Sequence, residues 1–302
     1  MTKNEFFETV KDGVIKILAD DDPTIKGSIT EVNKINGIVL TGLSFKSKQS
    51  RISPVVYLDE FWDKYRDEDL PIEDVISKLA SIYRNHEKGC QYVNADDFTD
   101  YEKIKDRIVP ALCNTEICTD YLKDCPSEAL WDLSIYYRIM VDIADGEGSV
   151  LIKNQLMDSW GISYDELKDQ AWKNIHKINP PSFISISDVL KDMMPTMDIP
   201  EQEGIMYVLT TQSRNGGAVY IADNSVLQNI ADDMDMDLFI LPSSRSEVLI
   251  IPYAIASTPD KWYEMLQMVT EINHNGTVST EDFLADSCYC YLRSSGNLEK
   301  VA

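Results

Sequence analysis

The segment from Pro242 to Glu247 contains the residues best suited to chemistry. Ser243 and Ser244 stand directly before Arg245, and Glu247 follows two positions later. Serine hydroxyls adapt to many hydrogen-bond partners, and a guanidinium can hold a carboxylate or phosphate through two parallel bonds. Binding residues concentrate in loops that a rigid scaffold positions. We therefore predict that this loop contacts a ligand or partner, with Glu247 holding Arg245 in place.

Arg214 is the second cation of this hypothesis, because positive charge is scarce in its part of the chain. We expect Arg214 and Arg245 to converge on one concavity and to hold an anionic ligand or a partner's carboxylate. One alternative is that each arginine pairs with a nearby aspartate. Another is that the serines and Glu247 turn inward and satisfy buried backbone groups, which leaves Arg245 free in solvent. From Asp198 onward, the basic residues are Arg214, Arg245, Lys261, Arg293 and Lys300.

Known catalytic and nucleotide-binding motifs are absent from the sequence. There is no G-x-S-x-G elbow, no S-x-x-K pair and no G-x-x-x-x-G-K-[ST] loop. Gly146 and Gly148 begin a G-x-G pattern, but Leu151 occupies the third glycine position. A turn between two strands explains these glycines better, so we predict no nucleotide and no other cofactor.

Metal-binding patterns are incomplete. Carboxylates alternate from Asp233 to Asp237, but Leu238 and Ser244 occupy the positions where a calcium loop needs glycine and a bidentate glutamate. The histidines and cysteines form no zinc-binding spacing, although Cys90, Cys113, Cys118 and Cys125 remain an alternative if they converge in space. We predict no metal and expect the thiols to fill the core. The histidines are His86, His176 and His274.

Charge and composition limit the class of protein. The chain has 302 residues, of which 44% are hydrophobic, with 51 acidic and 28 basic residues and a net charge of −23. A field of this sign repels nucleic acid and anionic membranes. The first residues lack the apolar core of a signal peptide, and six cysteines are few for this length. We expect a cytoplasmic protein that binds neither nucleic acid nor membrane.

The first predicted domain covers residues 1–93 and has α+β character. Apolar residues at helical spacing predict an amphipathic helix that ends before Pro23. Asn36-Gly37 lies between two β-prone runs and predicts an antiparallel hairpin with a two-residue connection. A third strand is expected over Ser53 to Leu58, and a helix from Pro71. The polar stretch 89–103 is the candidate boundary.

The second predicted domain covers residues 94–302 and has three strand-turn-strand-helix units. This order predicts an α+β fold, with antiparallel or mixed sheets and helices packed on the sheet. The units share almost no sequence, so recurrence of a common motif explains them better than duplication. Cys288 to Leu292 is expected to form the last strand. The predicted strand pairs are 131–141 with 149–152, 205–210 with 218–221, and 238–241 with 247–251, and their helices begin at Asn154, Asn224 and Thr258.

Several segments, taken in order, resemble an uncharacterised bacterial family, the domain-of-unknown-function family 5688. The resemblance covers most of the chain and implies no activity, cofactor or catalytic residue. The segments are 36–43, 52–58, 146–149, Trp160-Gly161 with Ala171 and Asn174, and Leu241 to Ser244 followed by Glu247-Val248.

Two classes of function fit these observations. The first is an acidic interaction or regulatory protein that binds a protein partner or a small anionic ligand without catalysis. The second is a hydrolase- or transferase-like enzyme whose site includes Ser243, Ser244, Arg245 and Glu247. We favour binding, because no catalytic motif is present. The oligomeric state cannot be derived from the sequence.

Overall fold

A computed structural model describes residues 1–46, 55–89, 95–143, 146–194, 206–242, 244–256 and 258–301. The chain forms two compact units. The first comprises Met1–Ile104 with Met140–Val150, and the second comprises Lys105–Ile139 with Leu151–Ala302. Within the described ranges the sheets are antiparallel and are accompanied by helices, which confirms the α+β class. No described helix is both long and apolar enough to cross a bilayer.

The first unit packs helices against a three-stranded sheet. Thr2 and Glu5 form a reciprocal capping box at the start of the first helix. Its apolar face joins the core through Phe6 and Val10, together with Leu79 and Tyr83 of a later helix. The sheet order is β1-β2-β3. The elements are α1 (Lys3–Leu18), β1 (Lys26–Asn33), β2 (Val39–Lys46), β3 (Val55–Tyr57), α2 (Asp59–Asp67), α3 (Ile72–Gly89) and α4 (Tyr101–Ile104).

The hairpin between β1 and β2 turns at Asn36-Gly37, as predicted, but its register differs by one residue. Both turn residues have positive φ, 59° and 69°, as a tight hairpin turn needs. A strict two-residue connection would pair Asn33 with Leu40, whereas Asn33 pairs with Val39. One extra residue on the first strand therefore forms a bulge-like offset before the turn.

The second unit contains most of the remaining strands and helices. Its six-stranded sheet has the order β13-β12-β10-β11-β9-β8, and a second sheet has the order β4-β6-β5, with β7 beside β6. The elements from residue 108 onward are β4 (Ile108–Asn114), α5 (Thr119–Leu122), β5 (Ser127–Leu130), β6 (Leu133–Ile143), β7 (Gly146–Leu151), α6 (Asn154–Trp160), α7 (Tyr164–Ile178), β8 (Pro181–Ser185), α8 (Ile186–Met193), β9 (Tyr207–Thr211), α9 (Asn224–Met234), β10 (Leu238–Leu241), β11 (Val248–Pro252), α10 (Pro259–His274), β12 (Tyr289–Leu292) and β13 (Asn297–Lys300).

Two of the three predicted strand-turn-strand-helix units are present. The first consists of β6, β7 and α6, and the third consists of β10, β11 and α10. The second is wrong, because Gly217–Ala222 forms a buried 3-10 helix and β9 pairs with β8 and β11 instead. A short apolar run that is buried all round has no period that separates strand from helix.

The end of the chain also differs from expectation. The strand predicted over Cys288 to Leu292 forms as β12, but it is not the last strand. The chain reverses and β13 pairs antiparallel with β12, so that Asn297 lies opposite Leu292. β13 is short and polar, and most of its residues are exposed. The sequence therefore has no hydrophobic pattern there that would predict a strand.

Candidate functional site

The loop between β10 and β11 is held by its own backbone and by Ser244. The N–H of Ser244 donates to the carbonyl of Glu247 at 3.2 Å. The Ser244 hydroxyl oxygen accepts the N–H groups of Ser246 and Glu247, at 3.1 and 3.3 Å. This serine therefore fixes the loop conformation, as the structural alternative predicts. Ser243 lies outside the described residues.

The side chain of Arg245 points into the second unit. Its Nη2 donates to the Tyr136 hydroxyl at 3.2 Å, and its Nη1 donates to the carbonyl of Glu281 at 3.2 Å. Its Nε is buried and has no hydrogen-bond partner. The backbone is anchored on both sides, because Arg245 N donates to the carbonyl of Asp282 and Arg245 O accepts from Ala218. The structural alternative expected Arg245 to be free in solvent, and these hydrogen bonds contradict that expectation.

A second guanidinium, that of Arg138, lies close to the same loop. Arg138 is two positions after Tyr136 on β6, so both side chains emerge from one face of the strand. A Cβ placed on Gly216 would lie 3.0 Å from Arg138 Nη2. The next residue, Gly217, donates its N–H to the carbonyl of Ser246, which adjoins Arg245. The two guanidiniums are thus brought to the same part of the unit.

Arg138 has no compensating partner in the described part of the chain. Its Nε is buried without a hydrogen bond, and the described residues offer it no ion pair. Arg245 likewise makes no ion pair there, in contrast to Arg293, which binds both Asp232 and Asp235. Because guanidinium groups stay charged in proteins, Arg138 and Arg245 are two half-buried positive charges that make no ion pair with the described residues.

Two phenol groups border these arginines. The rings of Tyr121 and Tyr136 meet edge to face, with their centroids 5.8 Å apart. Burial raises the pKa of both hydroxyls, and the charges of Arg245 and Arg138 oppose that rise in each case. Both phenols therefore keep their protons at neutral pH and can donate hydrogen bonds.

A buried thiol completes the surroundings. Cys113 lies on β4 and pairs with Ser134 of β6. Ser134 and Tyr136 are two positions apart on β6, so their side chains lie on the same face of the strand. The pKa of the Cys113 thiol is raised mainly by a hydrogen bond with Cys118 and, to a smaller extent, by burial. A thiol held in the protonated form is a poor nucleophile. The five described cysteines are buried and form no disulfide with one another.

Arg214 has an ion-pair partner of its own, and Glu247 is partly buried in the loop. Arg214 is exposed and donates to Asp192 at 2.9 Å, which is the internal pairing considered from the sequence. Burial raises the pKa of Glu247, and the charge of Arg214 opposes that rise. No hydrogen bond or ion pair among the described residues joins Arg214 to Arg245.

The other sequence candidates have structural roles where they are described. The acidic run 233–237 ends α9 with Asp235 at φ 55° and binds Arg293 through Asp235 and Asp237. His176 and His274 each pair with one aspartate, Asp223 and Asp286. Within the described ranges, no three His, Cys, Asp or Glu side chains are grouped to hold a metal ion.

The sequence reasoning selected Arg245 but missed Arg138 and Tyr136. Arg138 carried a usable signal, because it lies in the run Ser-Ile-Tyr-Tyr-Arg-Ile-Met-Val. A charged residue within an apolar strand is a candidate for a functional role, because charged side chains are seldom buried without a partner. Nothing in the local sequence of residues 133–141 indicated that the loop at 242–247 would meet this strand.

These features describe an α+β protein whose second unit holds two arginines, Arg138 and Arg245, that make no ion pair with the described residues. Two protonated phenols, Tyr121 and Tyr136, lie beside them. The chain belongs to the family of unknown function DUF5688, whose model matches residues 3–293. This match confirms the family resemblance inferred from the ordered segments. No curated protein and no solved structure matches the chain.

Proposed function

We propose that the chain is a cytoplasmic binding protein of a regulatory kind, which binds an anionic group at Arg138 and Arg245 and performs no catalysis. The observation that carries this proposal is the pair of buried Nε atoms without partners. An unpaired buried charge is unfavourable, and an incoming anion would relieve the cost at both residues. The net charge of −23 makes two such uncompensated cations more unusual.

The proposal also explains why the site has few groups suited to catalysis. The Ser244 hydroxyl already accepts two backbone N–H groups, and the thiol of Cys113 is kept protonated. Neither group is activated by an adjacent base, as nucleophilic catalysis requires. Binding a protein partner through one carboxylate is compatible with the same arginines.

An enzyme remains the second candidate because of one observation. Burial raises the pKa of Glu247, which favours the protonated acid near the loop. A carboxyl group of this kind can act as a general acid in a hydrolase or transferase. Turnover of an ester or phosphoester substrate that is lost in Glu247→Gln would favour this candidate over binding alone.

Equilibrium binding to the full chain tests the proposed function. Calorimetric titration at fixed ionic strength with acetate, citrate, sulfate and phosphate should detect saturable binding of at least one of these anions. Arg245→Met and Arg138→Met should each weaken that binding by roughly tenfold or more. Arg293→Met is the matched control, because Arg293 is neutralised by Asp232 in α9 and by Asp235 at the end of that helix.

The outcome that contradicts the proposal is equally specific. Binding of no anion in the folded wild-type chain, or equal binding in Arg245→Met and wild type, would exclude the arginine site. Arg214→Met separates the structural site from the sequence hypothesis. A loss as large as that of Arg245→Met would place Arg214 in the site, despite its ion pair with Asp192.

A further inference from the structure

We infer that the anion held at Arg138 and Arg245 is the dianionic phosphoryl group of a phosphate monoester, with the hydroxyls of Tyr121 and Tyr136 donating to it. This inference rests on the proposed function and specifies its ligand. It follows from the charge, the donor set and the directions from which the donors approach.

Charge is the first step. Two guanidiniums contribute two positive charges, and neither has an ion pair in the described part of the chain. A phosphate monoester carries about −1.5 to −2 charges at pH 7 and matches this total. A single carboxylate would neutralise one arginine and leave the other uncompensated. Arginine is the residue that proteins use most for buried phosphate recognition.

The donor set is the second step. Tyr136 accepts a hydrogen bond from Arg245 through its oxygen, so its own proton remains available. The Tyr121 hydroxyl makes no hydrogen bond to the described residues, and burial keeps it protonated. Arg138 Nε and Arg245 Nε are both without a hydrogen-bond partner. These four side chains can all act as donors, which suits a ligand with several acceptor oxygens.

The directions of approach are the third step. Tyr136 and Arg138 come from β6, Arg245 from the β10–β11 loop, and Tyr121 from α5. The tyrosine rings are perpendicular, with an interplanar angle of 90°, so their side chains do not share a plane. Donors from three segments suit a tetrahedral group with three terminal oxygens better than a planar carboxylate.

Affinity for four probes tests the ligand class. The full chain is titrated at pH 7.5 with phenyl phosphate, inorganic phosphate, sulfate and acetate at constant ionic strength. We expect phenyl phosphate to bind at least as tightly as inorganic phosphate, and acetate to bind roughly tenfold more weakly. Tyr136→Phe and Tyr121→Phe should each weaken phosphate binding by roughly two- to tenfold.

The pH dependence distinguishes phosphate from other dianions. The second pKa of a phosphate monoester is about 6, so its dianion becomes dominant as the pH rises from about 5.5 to 7.5. Sulfate stays dianionic over this range, so its affinity changes only when the protein changes with pH. The ratio of phosphate to sulfate affinity therefore reports the protonation of the ligand alone. We expect this ratio to rise with pH.

Each result bears on one of the two proposals. Acetate or citrate binding more tightly than phosphate, with loss in Arg245→Met, would overturn the phosphoryl inference and keep the proposed function. Tighter binding of inorganic phosphate than of phenyl phosphate would assign the site to the free ion and overturn the monoester. Where Tyr136→Phe fails to fold, Tyr121→Phe provides the same test of a phenol donor, because the Tyr121 side chain is not fully buried.

Discussion

Arg245 donates a hydrogen bond to the hydroxyl of Tyr136 at 3.2 Å, although 109 residues separate them in sequence. The contact links the β10–β11 loop to the face of β6 that also presents Arg138. It directs a guanidinium into the unit instead of into solvent. The Tyr136 oxygen accepts this bond, so the proton of the same hydroxyl remains available as a donor.

Removing this hydroxyl should destabilise the fold by a small, measurable amount. Tyr136→Phe leaves Arg245 Nη2 without its acceptor, and we expect a loss of about 1–2 kcal/mol in the free energy of unfolding. Urea denaturation measures this loss. Tyr121→Phe is the control, since its hydroxyl has no hydrogen bond to the described residues, and it should change stability by less than about 0.5 kcal/mol. Equal losses in the two variants would contradict the assigned role.

The 3-10 helix that replaces the predicted strand depends on Gly217. A Cβ at this position would lie 2.4 Å from the Cα of Thr210, a backbone atom that cannot move aside. We expect Gly217→Ala to lower the free energy of unfolding by about 2 kcal/mol or more. Gly161→Ala is the control, because its φ of +69° causes strain of about 1 kcal/mol but no atom lies within 4 Å. A smaller loss at Gly217 than at Gly161 would count against this packing.

Trp131 lies in a turn with unfavourable backbone geometry. It follows β5, its φ is +57°, and 54% of its surface is exposed. A residue with a Cβ is strained by about 1 kcal/mol at this positive φ. The exposed Trp131 ring makes few contacts that could offset the strain. Trp131→Gly should therefore raise the free energy of unfolding by up to about 1 kcal/mol, as measured by thermal or urea denaturation. Trp131→Ala keeps the Cβ and should show no such gain; a gain in both variants would attribute the effect to the ring.

Glu247 should make stability depend on pH in the opposite sense to an ordinary paired carboxylate. Burial raises its pKa above the ordinary value of 4.5, so the folded state retains the proton longer than the unfolded state. Stability contributed by this group is greatest below the unfolded pKa and falls as the pH rises through the folded pKa. Relative to wild type, Glu247→Gln should therefore become more stable as the pH rises from about 4 to 7.

Glu166 provides the matched control for that measurement. Hydrogen bonds from Ser163 lower the pKa of Glu166, whose carboxylate caps α7. Its contribution is present above the unfolded pKa and is lost as the pH falls through the folded pKa. Glu166→Gln should therefore become less stable than wild type as the pH rises over the same interval. Urea midpoints at several pH values would contradict the assignment if both variants changed in the same direction.

Local interactions explain which elements were predictable. The capping box of Ser163 and Glu166 begins α7, and Thr258 caps α10 by accepting from Lys261 N. Asn36 and Gly37 form the hairpin turn because both accept positive φ. In each case the determining residues lie within a few positions of one another, so a single stretch of sequence contains the information.

The one-residue offset in the first hairpin and the loss of the second predicted hairpin have a different cause. Register depends on which side chains the neighbouring elements bury, and the run 217–222 is apolar on all sides. The run forms a 3-10 helix in which Gly217 lies close to the backbone of β9. This contact joins two segments, so the local sequence of the run does not predict it.

The amino-acid sequence by itself determined the acidic α+β character and the capped helices, and it led to the prediction that Arg245 binds a ligand or partner. Only the tertiary structure decided that Arg245 would meet Tyr136 and lie near Arg138, while Arg214 binds Asp192. Helix caps and tight turns depend on neighbours along the chain, whereas a binding site depends on packing between distant segments. The partners of a buried charge are selected by that packing, and this is why they could not be read from residue types and spacing.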